Sequence, residues 1–303
     1  DSQSRQQQFL QKVGQGIQDS NNVVLDVSAE FQGQKKAQFV ATVAVAYSPV
    51  STKSRFLMFA EKNPANSNKQ GKIYVAAESS MPIVPAMNYK QALKVDPTSY
   101  INAEIAFDDA KVQFKGKMMQ SQYRRQYLEN YSPLAQKCQQ QMQQGNTVQY
   151  ACRNATLQAN LMDQFKLSVH YDKIPNFWRN ATYKAYAAMR YAAYQYVSED
   201  IVSAHNPSNQ ISFEANLAAD LKSVNFTMST PLLNAKVQNL GLNRYSAPWA
   251  TWHPDYTPAE LYANQIFRGQ QFPTCVVDNS LAQTFDNKSY PIKLGKCWHA
   301  MFH

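Results

Sequence analysis

From residue 23 onward, apolar side chains return at every second position. Val23, Leu25, Val27, Ala29 and Phe31 alternate with Asp26, Ser28, Glu30 and Gln32. Successive side chains of an extended strand point to opposite faces, so this run predicts a strand with one apolar and one polar side. Phe39, Ala41, Val43, Val45 and Tyr47 continue the pattern, and residues 33–35 between the two runs carry a hairpin signal. Residues 54–61 and 72–78 read as two more strands around a polar loop at 63–71, and Pro82 and Pro85 mark irregular chain. Ile101, Ala103, Ile105 and Phe107 then alternate with polar neighbours. Asp108 and Asp109 suit a turn, and Val112, Phe114 and Met118 follow in step with Lys111, Gln113, Lys115 and Lys117. The expected architecture is a meander of amphipathic antiparallel strands.

A helical stretch interrupts the meander. Residues 119–129 are rich in helix formers. Ser132 is a candidate N-cap with Pro133 at the first helical position, and Gly145 is a candidate stop. A second short helix is expected at about 152–162. Phe165, Leu167, Val169 and Tyr171 restore the alternation. Tyr183, Tyr186, Ala187, Tyr191, Tyr194 and Val197 then recur at helical spacing, predicting an aromatic amphipathic helix over about 176–202. Ile211, Phe213, Ala215, Leu217 and Ala219 form another strand, with Val224, Phe226 and Met228 on its partner. From about 238 the chain reads as aromatic loop. The fold class expected is mainly β with helices. Its expected parts are a polar segment at 1–21, a sheet region at 22–240 with a helical insertion at about 119–162, an aromatic linker at 241–273, and a further domain opening at 274–303.

No catalytic chemistry is evident. His170, His205, His253, His299 and His303 form no HExxH or C2H2 pattern, and no nucleophile elbow, P-loop or dinucleotide fingerprint occurs. Asp108–Asp109 and Glu199–Asp200 are adjacent carboxylates, which point apart on a strand and make poor acid–base pairs; a turn and a helix end are their expected places. Neither an enzyme nor a metal site is expected. The net charge of +9 comes from scattered residues, Lys35-Lys36 and Arg124-Arg125 being the adjacent basic pairs. That distribution argues against nucleic acid and for a solvated basic surface, open to an acidic receptor or anionic lipid heads.

Charged residues are only 17 % of the chain, and Gln, Asn, Ser, Thr and Tyr fill the deficit, as in many extracellular proteins. Cys138 and Cys152 flank a Gln-rich stretch and are expected to form a disulfide; Cys275 and Cys297 lie near the C-terminus with their pairing open. Asn154, Asn180, Asn225 and Asn287 each open an N-glycosylation triplet. Disulfides and sequons together predict an oxidising, secretory route. The start at Asp1 and the end just after Cys297-Trp298-His299 predict a piece of a longer chain. The amphipathic sheets need a partner for their apolar side, and alternation alone leaves helices, a second sheet and lipid all open.

Two stretches carry a family resemblance. Cys275, the run Thr284-Phe285-Asp286-Asn287, Tyr290 and Cys297-Trp298-His299 resemble the opening of a von Willebrand factor type D domain. Residues 174–197, with Pro175, Phe177-Trp178-Arg179-Asn180, Tyr183, Tyr186, Tyr191, Tyr194 and Tyr196, resemble the insect-type vitellogenin branch of the large lipid transfer proteins. The order sheet, helices, sheet, aromatic linker, type D domain is similar too. The resemblance implies a non-catalytic yolk storage and lipid transport protein, secreted into haemolymph and taken up into oocyte yolk. It implies a sheet-lined cavity holding phospholipid and neutral lipid, with no other cofactor. Implied partners are the remainder of the precursor, a lipoprotein-receptor-type receptor and, where the assembly allows it, a homo-oligomer. Val23, Leu25, Val27, Phe31, Phe39, Val43, Val45, Ile101, Ile105 and Phe107 become the lipid-facing candidates. A haemolymph clotting or lipid-shuttling relative is the alternative, for which the Gln139–Gln144 tract would supply transglutaminase substrates.

Overall fold

The computed structural model describes residues 2–32, 37–64, 71–83, 88–107, 110–145, 150–173 and 199–242. It also describes three short strands between 276 and 291 and single helical positions between 180 and 191. The strands are β1 (Asn21–Phe31), β2 (Ala37–Tyr47), β3 (Lys53–Pro64), β4 (Gly71–Ser80), β5 (Thr98–Phe107), β6 (Ala110–Met119), β7 (Gln164–Asp172), β8 (Glu199–Ser203), β9 (Gln210–Leu217), β10 (Ser223–Ser229) and β11 (Leu233–Gly241). They form one eleven-stranded sheet in the order β1-β2-β3-β4-β5-β6-β7-β9-β10-β11-β8. Every neighbouring pair is antiparallel. A separate three-stranded antiparallel sheet joins β12 (Val276–Asp278), β13 (Leu281–Gln283) and β14 (Ser289–Pro291).

Two elements depart from the sequence expectation. Residues 199–203, expected to end a helix, form β8 and pair with β11 at the far edge of the sheet. Residues 233–241, expected to turn into loop at about 238, form β11. Its alternation is broken by a bulge, the register shifting between Val224 and Phe226, and Asn239 sits at φ 54. The backbone N–H of Asn239 donates to Asn225 Oδ1 at 2.7 Å. A bulge puts one extra residue in one strand, so apolar positions slip from Val237 to Leu240 and the period-two signal fades.

The polar N-terminal segment is a helix, α1 (Ser2–Gly14). Phe9 and Val13 on it, with Ile17 just beyond, pack on Ala44, Ala46 and Leu57 of the sheet. Small alanines at 44 and 46 leave room for a helix to lie close. Arg5 grips Asp26 (Nη2–Oδ1 3.0 Å), and the Thr42 hydroxyl donates to the same carboxylate. Arg55 Nη1 donates to the carbonyls of Lys12 (2.7 Å) and Gln15 (2.8 Å), satisfying acceptors that the helix end leaves open.

The helical insertion sits between β6 and β7. Met119 still belongs to β6. The helices are α3 (Gln122–Gln126), a π turn (Tyr127–Tyr131), α4 (Pro133–Gln143) and α5 (Tyr150–Ala159). Ser132 takes the N-cap position of α4, although its side chain makes no capping bond, and Pro133 opens the helix. Gly145 follows it at φ 68, a left-handed position that glycine reaches without strain. Tyr89 of the short α2 (Tyr89–Ala92) packs with Ala135, Cys138, Ala151 and Ala155, and its hydroxyl donates to the Leu128 carbonyl.

Burial, with a smaller contribution from Glu129, pushes the Tyr89 hydroxyl up to about 12. A raised acid means that above pH 10 the unfolded chain sheds this proton while the folded one keeps it. Stability from this group is therefore complete below pH 10 and is lost between pH 10 and 12, on the order of 2 kcal/mol. Tyr89→Phe is expected to lose less stability than the native chain between pH 9 and pH 11.5 in denaturant titrations. Equal losses in the two proteins would refute the assignment.

Candidate functional site

Cross-strand register assembles the apolar sides of the strands into one surface. Val23 faces Val45, then Phe56, Ala77, Ile101, Gly116, Leu167, Phe213, Met228, Ala235 and Ile201 in turn. This row crosses all eleven strands without a polar side chain. At ~4.8 Å per strand it is about 48 Å wide. A neighbouring row runs Leu25, Val43, Met58, Val75, Ala103, Phe114, Val169.

These side chains are not covered by described protein. Val23, Leu25, Val27 and Phe31 on the edge strand are 51 % to 62 % exposed; Phe39, Val45, Ile101 and Ile105 further in are 38 % to 41 % exposed. Val43 is half-buried and Phe107 exposed. All ten lipid-facing candidates therefore lie on this one face. A hollow of about 370 Å³ opens there, walled by Val27, Phe39, Ala60, Ile73, Ile105 and Phe107. Among the described residues, the helix that packs on the sheet, α1, lies on the opposite side, over Ala44 and Leu57. Soluble monomers rarely leave a contiguous apolar patch beyond a few hundred Å² uncovered.

The opposite face is built for water. Arg55 meets Glu78 (2.8 Å), Lys72 meets Glu61 (3.3 Å), Lys111 meets Glu104 (3.0 Å) and Lys166 meets Glu214 (3.3 Å). Most of these lie directly opposite each other on adjacent strands, the geometry in which charge pairs support a sheet. Hydrogen bonds from Gln113 and Lys111 hold the Glu104 carboxyl below its usual range. His170 stands on this face, opposite Gln113 and Gln210, as its place in the alternation predicts.

Other predicted positions are dispersed. Cys138 and Cys152 are joined by a disulfide that ties α4 to α5, and closing a loop of this size stabilises by roughly 3 kcal/mol in the chain-entropy model. Asn154, Asn180 and Asn225 are exposed. Asn287, Cys275 and Cys297 lie outside the described residues, as do residues 33–36, 108–109, Tyr183, Tyr186, Tyr194 and Val197. Among the described residues no group of three or more His, Cys, Asp or Glu is placed to hold a metal ion, and no helix is long and apolar enough to cross a membrane.

Sequence reasoning missed a buried polar hub. Arg124 and Asp163, 1 % and 2 % exposed, join the helical insertion to the end of the sheet. Asp163 accepts from Ser121 N (2.7 Å) and Ser121 Oγ (2.5 Å), and its carbonyl accepts from Leu217 N (2.7 Å). The adjacent basic pair at 124–125 hints at nothing of the kind, because one member turns in and the other turns out.

No family model matches the chain. It is 28 % identical over 312 residues to Vitellogenin-2 of Periplaneta americana, the match taking in 100 % of this chain and 16 % of that protein. It is 32 % identical over 309 residues to the vitellogenin of Anthonomus grandis, covering 96 % of this chain and 16 % of that one. The chain is similar to insect vitellogenins along its whole length. Vitellogenin-A1 of Aedes aegypti adds a match at 29 % identity over 345 residues. The chain spans only 16 % of these vitellogenins. A solved lipovitellin chain, from a structure of lipid–protein interactions, is similar with a TM-score of 0.37 at 10 % identity, covering 74 % of this chain and 97 % of that one.

Proposed function

We propose that this chain is the lipid-bearing wall of a yolk storage and transport protein of the vitellogenin type. The unbroken apolar row from Val23 to Ile201 carries the reading. A face that wide, apolar and uncovered by described protein has a large free energy to gain by contact with lipid, at ~25 cal/mol per Å² removed from water. The other face, with its ion pairs and α1, meets water or the rest of the protein. The sheet works by binding and not by catalysis. Phospholipid and neutral lipid are the ligands, and no further cofactor takes part.

The finer points belong to the same reading. Residues 274–303 open a von Willebrand factor type D domain, after a linker at 241–273 and a sheet region at 22–240. Asn154, Asn180, Asn225 and Asn287 carry glycans on a protein secreted into haemolymph and stored in yolk. A lipoprotein-receptor-type receptor and the rest of the precursor are its partners.

The test is direct. The full-length protein is purified without detergent and extracted with organic solvent, and the extract is weighed. Phospholipid and neutral lipid in amounts of many molecules per chain are expected. A protein isolated free of lipid would sink the proposal.

A further inference from the structure

Across β1 to β7 the apolar face carries one charged side chain among the described residues. In the register of that face it is Lys62, which lies between Phe39 on β2 and Gly71 on β4, with Phe107 next along the same row. Its ammonium stands 5.4 Å from the centre of the Phe39 ring, and none of the ion pairs among the described residues includes it. By contrast, Lys72, Lys111 and Lys166 on the opposite face each have a carboxylate partner.

Lys62 also stands at the wall of the 370 Å³ hollow. Gly71 lines the hollow as well, and a Cβ there would come within 3.3 Å of the Phe107 ring. A cavity of about this size lies at the small end of ligand pockets, fitting one acyl chain better than a diacyl lipid. A cation set in an apolar surface, with its stem along an aromatic ring, keeps its head available to an anion that arrives with its own apolar body.

From this juxtaposition we infer that the hollow beside Lys62 is a discrete site for a long-chain fatty acid, the carboxylate on the Lys62 ammonium and the chain over Val27, Ala60, Ile73 and Ile105. The inference rests on the lipid-carrier reading and adds a head-group preference that a merely greasy wall would lack.

Delipidated full-length protein is equilibrated with radiolabelled oleate and, separately, with radiolabelled oleyl alcohol, which has the same chain and no charge. The native protein is expected to prefer oleate by about fivefold, the upper range for an exposed ion pair. Lys62→Gln removes that preference and Lys62→Glu inverts it, both leaving alcohol binding unchanged. Ala60→Phe, which fills the hollow, weakens both ligands together. An oleate preference that survives Lys62→Gln overturns the assignment, and so does an absence of oleate binding. If the untreated protein nevertheless carries extractable phospholipid, the lipid-carrier reading stands without this site; if it carries none, both fall.

Discussion

Arg124→Leu is expected to cost on the order of 2–4 kcal/mol of folding stability, because it removes a buried charged donor from backbone carbonyls that it satisfies. Its guanidinium donates from Nε to the Leu161 carbonyl (2.9 Å), from Nη1 to Ala219 (2.5 Å) and from Nη2 to Gln158 (3.1 Å). Those three acceptors lie at the end of α5, in the connection to β7 and just beyond β9. One side chain thus holds together parts of the chain that are far apart in sequence.

Burial pushes the Arg124 guanidinium down to about 10, the nearby Asp163 opposing that shift. Desolvation therefore outweighs attraction, yet the group stays charged at neutral pH. Leucine relieves the desolvation but strands the buried Ala219 carbonyl, while the Leu161 and Gln158 carbonyls keep donors in Gln120 Nε2 and the Leu161 N–H; a buried polar group left unpaired costs about 1–3 kcal/mol. It also removes the positive charge that interacts with the Asp163 carboxylate. Gln120, whose Nε2 donates to the carbonyls of Ala159 and Leu161 at 3.0 Å each, cannot replace the fork. Arg124→Lys keeps the charge but offers a compact head, so it is expected to recover only part of the loss. Urea midpoints of the three proteins decide the matter: a change below about 1 kcal/mol for leucine would show that the hub is dispensable, since point substitutions away from such features stay within ~0.5 kcal/mol.

Lysines placed on the apolar face are expected to cut lipid loading by roughly half or more, because a charge must be dragged out of water wherever lipid would sit. Val45→Lys and Ile101→Lys together place two cations on the same row of the sheet, at positions 39 % and 41 % exposed. That exposure lets the side chains stand in water when lipid is absent, so the urea midpoint of the delipidated protein should barely move. Ser28→Lys is the control. It adds one such charge on the polar face, where Ser28 stands opposite Val40, and lipid content should not change. Equal lipid per chain in the face variant and the control would mean that the face is covered by protein in the whole molecule.

Much of the sheet was legible from alternation alone. β1, β2, β5, β6, β7 and β9 appear where period two predicts them, and the ten apolar candidates share one face of the sheet. The two poorly read strands fail for different physical reasons. β11 carries a bulge that breaks the period, and β8 is a five-residue edge strand whose Ile201 and Val202 follow directly on helix-like sequence. The polar, Gln-rich start of the chain leaves a short helix and a frayed end equally open, and the structure makes it the helix α1. Phe9, Val13 and Ile17 recur every four residues, but three apolar positions among glutamines are a faint signal.

Alternation is a local property of extended backbone, so the chain's own pattern suffices to say that its strands are two-faced, and paired cysteines at 138 and 152 suffice to suggest a staple. Which strand lies beside which is not local. The order placing β8 at the far edge, the register that lines eleven apolar sides into one surface, and the inward turn of Arg124 beside its half-buried neighbour Arg125 all depend on contacts across tens of residues. So does the isolation of Lys62 on an apolar field. Its meaning comes from the absence of charge on six neighbouring strands, and no window along the chain contains that information.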